Sequence, residues 1–250
     1  CAQKALDPTI NEATVRHLTR LGCDVVAAEG AGCCGALTPH TGKTDASHVA
    51  AAANIRAWMK EKNGEGLDYV VINTSGCGTT VKDYGFMFRE DRELAADAAT
   101  ISGLAADITE VLEKLAPKPT IDVPPLRVAY HSACSMQHGQ KLSTLPPRLI
   151  ESLGFNVEAV PESHICCGSA GTYNLLQPEL ATRLQARKVA NIASLAPDLI
   201  AAGNLGCMIQ IGQATEIPVV HTVELADWAT GGPKPAALTN VAARQRQPDD

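Results

Sequence analysis

The tripeptide Cys166-Cys167-Gly168 occurs twice in this chain, the other copy being Cys33-Cys34-Gly35, 133 residues earlier. The same shift carries Cys1 onto Cys134, so 31 residues separate the first cysteine from the vicinal pair in both copies. A third arm follows in each. Cys77, preceded by Gly76, lies 43 residues beyond Cys34, and Cys207, preceded by Gly206, lies 40 residues beyond Cys167. Eight of the nine cysteines thus form two sets of four, which leaves Cys23 outside the pattern. Duplicated spacing on this scale means two copies of one structural unit. A chain of 250 residues has room for two units of ordinary domain size.

Hydrophobic patterning fills in the units. A helix is expected over 8–21, with Val15, Leu18 and Leu21 on one face and Gly22 at its end. A strand over 23–28 then leads to the first vicinal pair. A helix over 46–61 carries Val49, Ala52, Ile55 and Met59, and Tyr69 to Asn73 reads as a buried strand running into Cys77. A helix over 101–115 closes the first unit, and Pro117, Pro119, Pro124 and Pro125 mark a linker. The order then repeats: strand 126–131, a helix with Leu145, Leu149 and Leu153, strand 156–160, helix 178–195, strand 199–202, Pro218 to Val220, and a helix at 223–230. Alternating strands and helices with apolar strands imply an α/β fold. The expectation is two tandem pseudo-symmetric modules, each a small parallel sheet flanked by helices. Module one covers 1–116 with its N-terminal strand missing, the linker 117–125, module two 126–232, and a mobile tail 233–250.

Parallel sheets bind ligands beyond the carboxyl ends of their strands, and all eight repeat cysteines fall at or just after an expected strand end. Each set, Cys1, Cys33, Cys34, Cys77 and Cys134, Cys166, Cys167, Cys207, therefore converges on one sheet edge. Four thiolates in a partly dry pocket need a counter-ion, so the group either stays protonated or binds a metal. A four-thiolate set suits an iron–sulfur cluster or tetrahedral zinc. Zinc sites favour paired C-x₂₋₄-C knuckles, whereas the close pairs here are vicinal, which suits a cluster with several metal corners. A redox dithiol is the remaining reading, against which stands the strained geometry of a vicinal disulfide. Gly35, Gly76, Gly168 and Gly206 let backbone amides approach the sulfurs. His131 and His164 lie near cysteines as supporting residues, and His221 follows a strand in the same way. A formal net charge of −6 without a basic stripe excludes nucleic acid as partner. No apolar run approaches the roughly 20 residues that span a bilayer. With no secretory signal at the start, nine cysteines read as reduced thiols of a cytoplasmic protein.

The double motif resembles the cysteine-rich CCG domains of heterodisulfide reductase B-type subunits. Three longer stretches are similar to the glycolate oxidase (glycolate dehydrogenase) iron–sulfur subunit: His131 to Gly139, Cys166 to Pro178 and Gly203 to Met208, together with Pro218 to Leu225. The resemblance implies an iron–sulfur subunit, with clusters of 4Fe-4S type, that performs no substrate chemistry alone. It would take electrons from flavin-binding partner subunits that carry FAD and pass them toward the quinone pool. The resemblance also implies an N-terminal ferredoxin-like domain, absent from this sequence, and a cytoplasmic place, peripheral on the inner face of the membrane. Relatives handling lactate or a disulfide, and a docking module holding zinc or no metal, are the alternatives. In heterodisulfide reductase relatives the third arm is C-x-x-C and five cysteines hold a noncubane cluster. Here the arms read Cys77-Gly-Thr-Thr80 and Cys207-Met-Ile-Gln210, so four cysteines remain per module.

Overall fold

The computed structural model describes residues 2–239. In the first module the helices are α1 (Ala2–Leu6), α2 (Thr9–Arg20), α3 (Thr44–Asn63), α4 (Ser75–Lys82), α5 (Tyr84–Met87), α6 (Ala95–Leu104) and α7 (Ile108–Leu115). Its strands, β1 (Val70–Ile72) and β2 (Ala105–Asp107), pair in parallel. The second module holds strands β3 (Arg127–His131), β4 (Asn156–Ala159), β5 (Leu199–Ala202) and β6 (Val219–His221). They form one parallel sheet in the order β4-β3-β5-β6. Around it lie α8 (Leu145–Ser152), α9 (Tyr173–Leu176), α10 (Pro178–Ala193), α11 (Leu205–Gly212) and α12 (Thr222–Ala229). The α/β class with two small parallel sheets flanked by helices is thus observed.

Two expected elements differ. Residues 23–28 form no strand. Their counterpart in the second module, β4, bonds only to β3, the strand that precedes Cys134. Among the described residues no strand pairs with 23–28, so the segment has no ladder to join. The expected helix over 101–115 is cut by β2. Ala105 to Asp107 extend because β1 offers them parallel pairing, and Asp107 then starts α7 as its N-cap. Two helix faces also turn out differently. Val15 and Val49 are exposed, while α2 buries Ile10, Ala13, His17 and Leu18, and α3 buries Ser47, Asn54 and Ile55. Of the segment expected to be a mobile tail, Leu238 is wholly buried in the core, and residues 240–250 lie outside the described part.

The largest apolar core does not respect the module boundary. Ile10 and Leu18 of α2 and Ile108, Val111 and Leu112 of α7 pack with Val128, Leu199, Val223 and Leu225 of the second module. Each such fully buried aliphatic side chain contributes about 1.5–3 kcal/mol. The weave follows the repeat: α2 of module one packs on α12 of module two, and α8 of module two packs on α7 of module one.

Helices α7 and α12 begin alike. Asp107 and His221 each accept a backbone N–H two residues on, while Glu110 and Glu224 reach back to the N-cap amide, closing two capping boxes. The His221 imidazole is fully buried, with Nδ1 accepting from the Val223 amide at 3.1 Å, so it must stay neutral to cap. Burial lowers its pKa from 6.5 to about 4. Buried His17 is lowered to about 4 as well, again chiefly by desolvation. A depressed folded-state pKa means stability that is complete above pH 6.5 and is lost as pH falls toward 4. Asp107, raised by burial to about 6, acts in the opposite sense over an overlapping range. Asparagine also caps helices but does not titrate. His221→Asn should therefore remove an acid-side loss on the order of 3 kcal/mol. Urea denaturation at a series of pH values between 4 and 7 measures the change in slope.

Candidate metal centre

In the second module the sheet delivers its thiols to one place. β3 ends at His131 and the chain turns through Cys134 into a π-helical turn, Ser135–Gly139. β5 ends at Ala202, and Cys207 follows as the third residue of α11. Asn204 caps α11 by accepting the Cys207 amide at 3.1 Å. The positive end of that helix therefore lies beside the sulfur. Between them, the loop after β4 brings in the vicinal pair. Gly168 takes a positive φ of 94° and donates its N–H to Cys166 Sγ at 3.3 Å. Cys167 and Cys207 are buried, and Cys134 and Cys166 are half-buried.

The four cysteines are free thiols that interact in a chain, Cys134 with Cys166, Cys166 with Cys167, and Cys167 with Cys207. Shared protons split their acidities. The bonds from Cys134 and Cys167 hold Cys166 low, and the bond from Cys167 carries Cys207 down to about 5. Cys134 and Cys167 are pushed up by the same contacts and by burial. Such groups ionise as a set. Without a cation only part of the set can be thiolate, while a bound metal allows all four. One amine is already built in, its pKa lowered by burial and raised in part by the neighbouring thiols. Lys188 of α10 is wholly buried, donates to the Glu162 carbonyl at 3.0 Å, and interacts electrostatically with Cys134, Cys166 and Cys167.

His131 is 1% exposed, and beyond its interaction with the Cys207 thiol neither ring nitrogen has a hydrogen-bond partner. One ring nitrogen and the sulfurs of Cys167 and Cys207 all lie within 4.8 Å of one another. His164, in contrast, is exposed, and His221 serves as the α12 cap. The approach of His131 to Cys207, 76 residues on, carries no sequence signal beyond its position at the end of a strand.

The first module repeats the plan with three described cysteines, since Cys1 lies outside the described residues. Cys77 is again the third residue of a helix, α4. The Cys34 thiol bonds Cys77 and is lowered to about 7 by that contact, while Cys77 is pushed up by the same bond. Cys33 stands exposed beside them. Its loop is fastened by α3 and α5. The Asn54 amide donates to the Cys33 carbonyl at 3.0 Å, and the Tyr84 hydroxyl donates to the Cys34 carbonyl at 2.8 Å. Gly35 has a positive φ of 83° and its carbonyl accepts from Ser47 Oγ. The two sites adjoin. Ser75, at the start of α4, shares a 2.7 Å hydrogen bond with Ser135 of the π-helical turn, and its hydroxyl accepts from the Asn204 amide at 3.0 Å. Gly76 lies 3.5 Å, measured from an added Cβ, from that same Asn204 amide, and a Cβ on Gly206 would strike Ser169.

Comparison with known families places this geometry. The CCG cysteine-rich domain matches residues 1–82 and again 128–212, the two segments that carry the repeated cysteines. The chain belongs to the cysteine-rich CCG family. Among curated CCG relatives, it is 38% identical over 92% of its length to the glycolate oxidase iron-sulfur subunit of Escherichia coli, of which it covers 56%. It is 28% identical over 92% of its length to a probable glycolate oxidase iron-sulfur subunit of Bacillus subtilis, covering 53%. The chain thus spans about half the length of these two relatives. It is also 27% identical to lactate utilization protein A of Geobacillus thermodenitrificans over 86% of its length and 91% of that protein. No described helix is long and apolar enough to cross a membrane.

Proposed function

We propose that this chain is the cluster-bearing part of an oxidoreductase complex of the glycolate dehydrogenase type. It takes electrons from a flavin-binding partner subunit that carries FAD and passes them toward a quinone, from the cytoplasmic side. The observation that carries this reading is the closeness of Cys167 and Cys207, whose sulfurs lie within 4.8 Å of each other, with Cys134 and Cys166 interacting beside them. Similarity to the Escherichia coli glycolate oxidase iron-sulfur subunit supports the choice of complex.

The donor set fits an iron–sulfur cluster, which when bound supplies reversible one-electron storage. Cys134, Cys166, Cys167 and Cys207 would hold it in module two, and Cys33, Cys34 and Cys77 with Cys1 in module one. The protein's own contribution is to set the charge balance. The Gly168 amide, the N-termini of α4 and α11 and the buried Lys188 amine all offset negative charge on sulfur. Burial of Cys167 and Cys207 keeps water from the inner half of the site. In this reading substrate chemistry belongs to the flavin-binding partner.

The lactate utilization relatives favour a second reading, in which the complex acts on lactate, because the chain covers nearly their whole length. Anaerobic reconstitution tests the shared claim. Iron and acid-labile sulfide should load together, with visible absorbance that bleaches on dithionite. Zinc binding without iron would instead support a docking module. Dye reduction by the chain with its co-purified flavin partner, driven by glycolate or by lactate, separates the two complexes.

A further inference from the structure

We propose that His131 is a metal ligand, giving a nitrogen donor to the centre held by Cys134, Cys166, Cys167 and Cys207. This rests on the reading of the site as a metal centre and concerns which protein atoms complete it. The imidazole sits at the carboxyl end of β3, an internal strand of the sheet, and His131 is held in register opposite Ala202 of β5. It is almost wholly buried, and beyond its interaction with the Cys207 thiol neither ring nitrogen has a hydrogen-bond partner. Buried polar atoms in native proteins are nearly always satisfied, so an orphan on this scale calls for an occupant. Ser132 Oγ and Thr222 Oγ1, at the same edge of the sheet, are likewise buried and unpartnered.

Distance and chemistry identify the occupant. A ring nitrogen and the Cys167 and Cys207 sulfurs are mutually within 4.8 Å. A metal bound at about 2.0–2.3 Å to nitrogen and sulfur draws such donors only slightly closer together. Neutral imidazole is a common ligand for iron and zinc alike. These three are also the most deeply buried donors of the set, whereas Cys134 and Cys166 are partly exposed. Module two thus has a mixed nitrogen–sulfur donor set, whose deepest corner is His131, Cys167 and Cys207.

The test uses the full chain, loaded anaerobically with iron and sulfide, and pulsed electron paramagnetic resonance with natural and ¹⁵N-histidine. Wild type should show a strong, directly bonded nitrogen coupling that changes with the isotope and disappears in His131→Ala. Iron affinity of the second site, measured by chelator competition with Cys33 and Cys34 replaced by serine, should fall at least about tenfold in His131→Ala. His131→Cys, which restores a ligand, should recover affinity and shift the midpoint potential. His131→Asn, which keeps a hydrogen-bond donor but is a poor ligand, should not. Iron loading without the strong coupling, or full affinity in His131→Asn, overturns the assignment and leaves the proposed function standing. A wild-type chain that takes up no iron overturns both.

Discussion

Alanine at Gly168 is expected to abolish metal loading at the second site and to lower stability by about 3–5 kcal/mol. Two costs coincide there. The backbone has φ near +94°, a region that side-chain-bearing residues occupy at about 1–2 kcal/mol. An added Cβ would also lie 2.4 Å from the Ala181 carbonyl oxygen and 3.1 Å from its carbon. Both are backbone atoms of α10, and no rotamer change moves them aside. The loop or the helix must shift. Either movement takes the Gly168 amide away from Cys166 Sγ and pulls Cys166 from Cys134. Gly22 provides the control, because its φ is similarly positive at +87° but nothing lies within 4 Å of an added Cβ. Gly22→Ala should cost only the conformational part. Thermal unfolding and iron content of the two variants, side by side, measure the difference. Equal behaviour would mean that close packing against α10 does not shape the site. Gly35, whose Cβ would come within 2.9 Å of the Ser47 carbonyl, should behave like Gly168 in the first module.

The duplicated cysteines were legible because ligand-like spacing survives in the chain whatever the loops do. Strand β5 falls where the apolar run Leu199 to Ala202 places it, since a strand buried on both faces leaves an uninterrupted hydrophobic stretch. Ala105 to Asp107 leave no such mark. Two alanines continue a helical composition, and only pairing with β1 extends them. Residues 23–28 show the converse. Cys23 to Ala28 have strand-like composition, but a strand needs a neighbour, and among the described residues none is present beside them. The faces of α2 and α3 were misjudged at Val15 and Val49 for a related reason. Their buried sides include polar residues that break apolar periodicity, His17 beside Thr230 and Asn54 bonded to Gly32 and Cys33. The exchange of helices between modules has no pattern in the chain at all, because an apolar stripe does not say which sheet will cover it.

Removing Arg16 and Arg20 together is the second large effect expected, and it acts on that exchange. Asp227 of α12 is 1% exposed and its carboxylate is held from module one by both arginines of α2. Arg16 Nε donates to Oδ2 at 2.7 Å and Arg20 Nη2 to Oδ1 at 2.6 Å, while Arg20 Nη1 also reaches Thr230 Oγ1 at 3.0 Å. The arginines keep one face toward solvent, whereas the carboxylate has none. Loss is therefore unequal across the pair. Asp227→Asn leaves two arginines that water can solvate, and its cost should stay near 1–3 kcal/mol for charge-assisted hydrogen bonds. Arg16→Ala with Arg20→Ala strands a buried charge, a change worth about 3–5 kcal/mol. Either arginine alone should cost less than half of the double change, since the other still neutralises Asp227. Urea denaturation of the four variants, at low and high salt, gives the ordering. The burial of Asp227 makes the effect persist at high salt, where exposed pairs would be screened. Adding Asp227→Leu to the double variant should restore much of the stability, because the isolated charge is then gone. If it does not, the clasp contributes through arginine packing on α12 and the carboxylate is incidental to how the modules hold together.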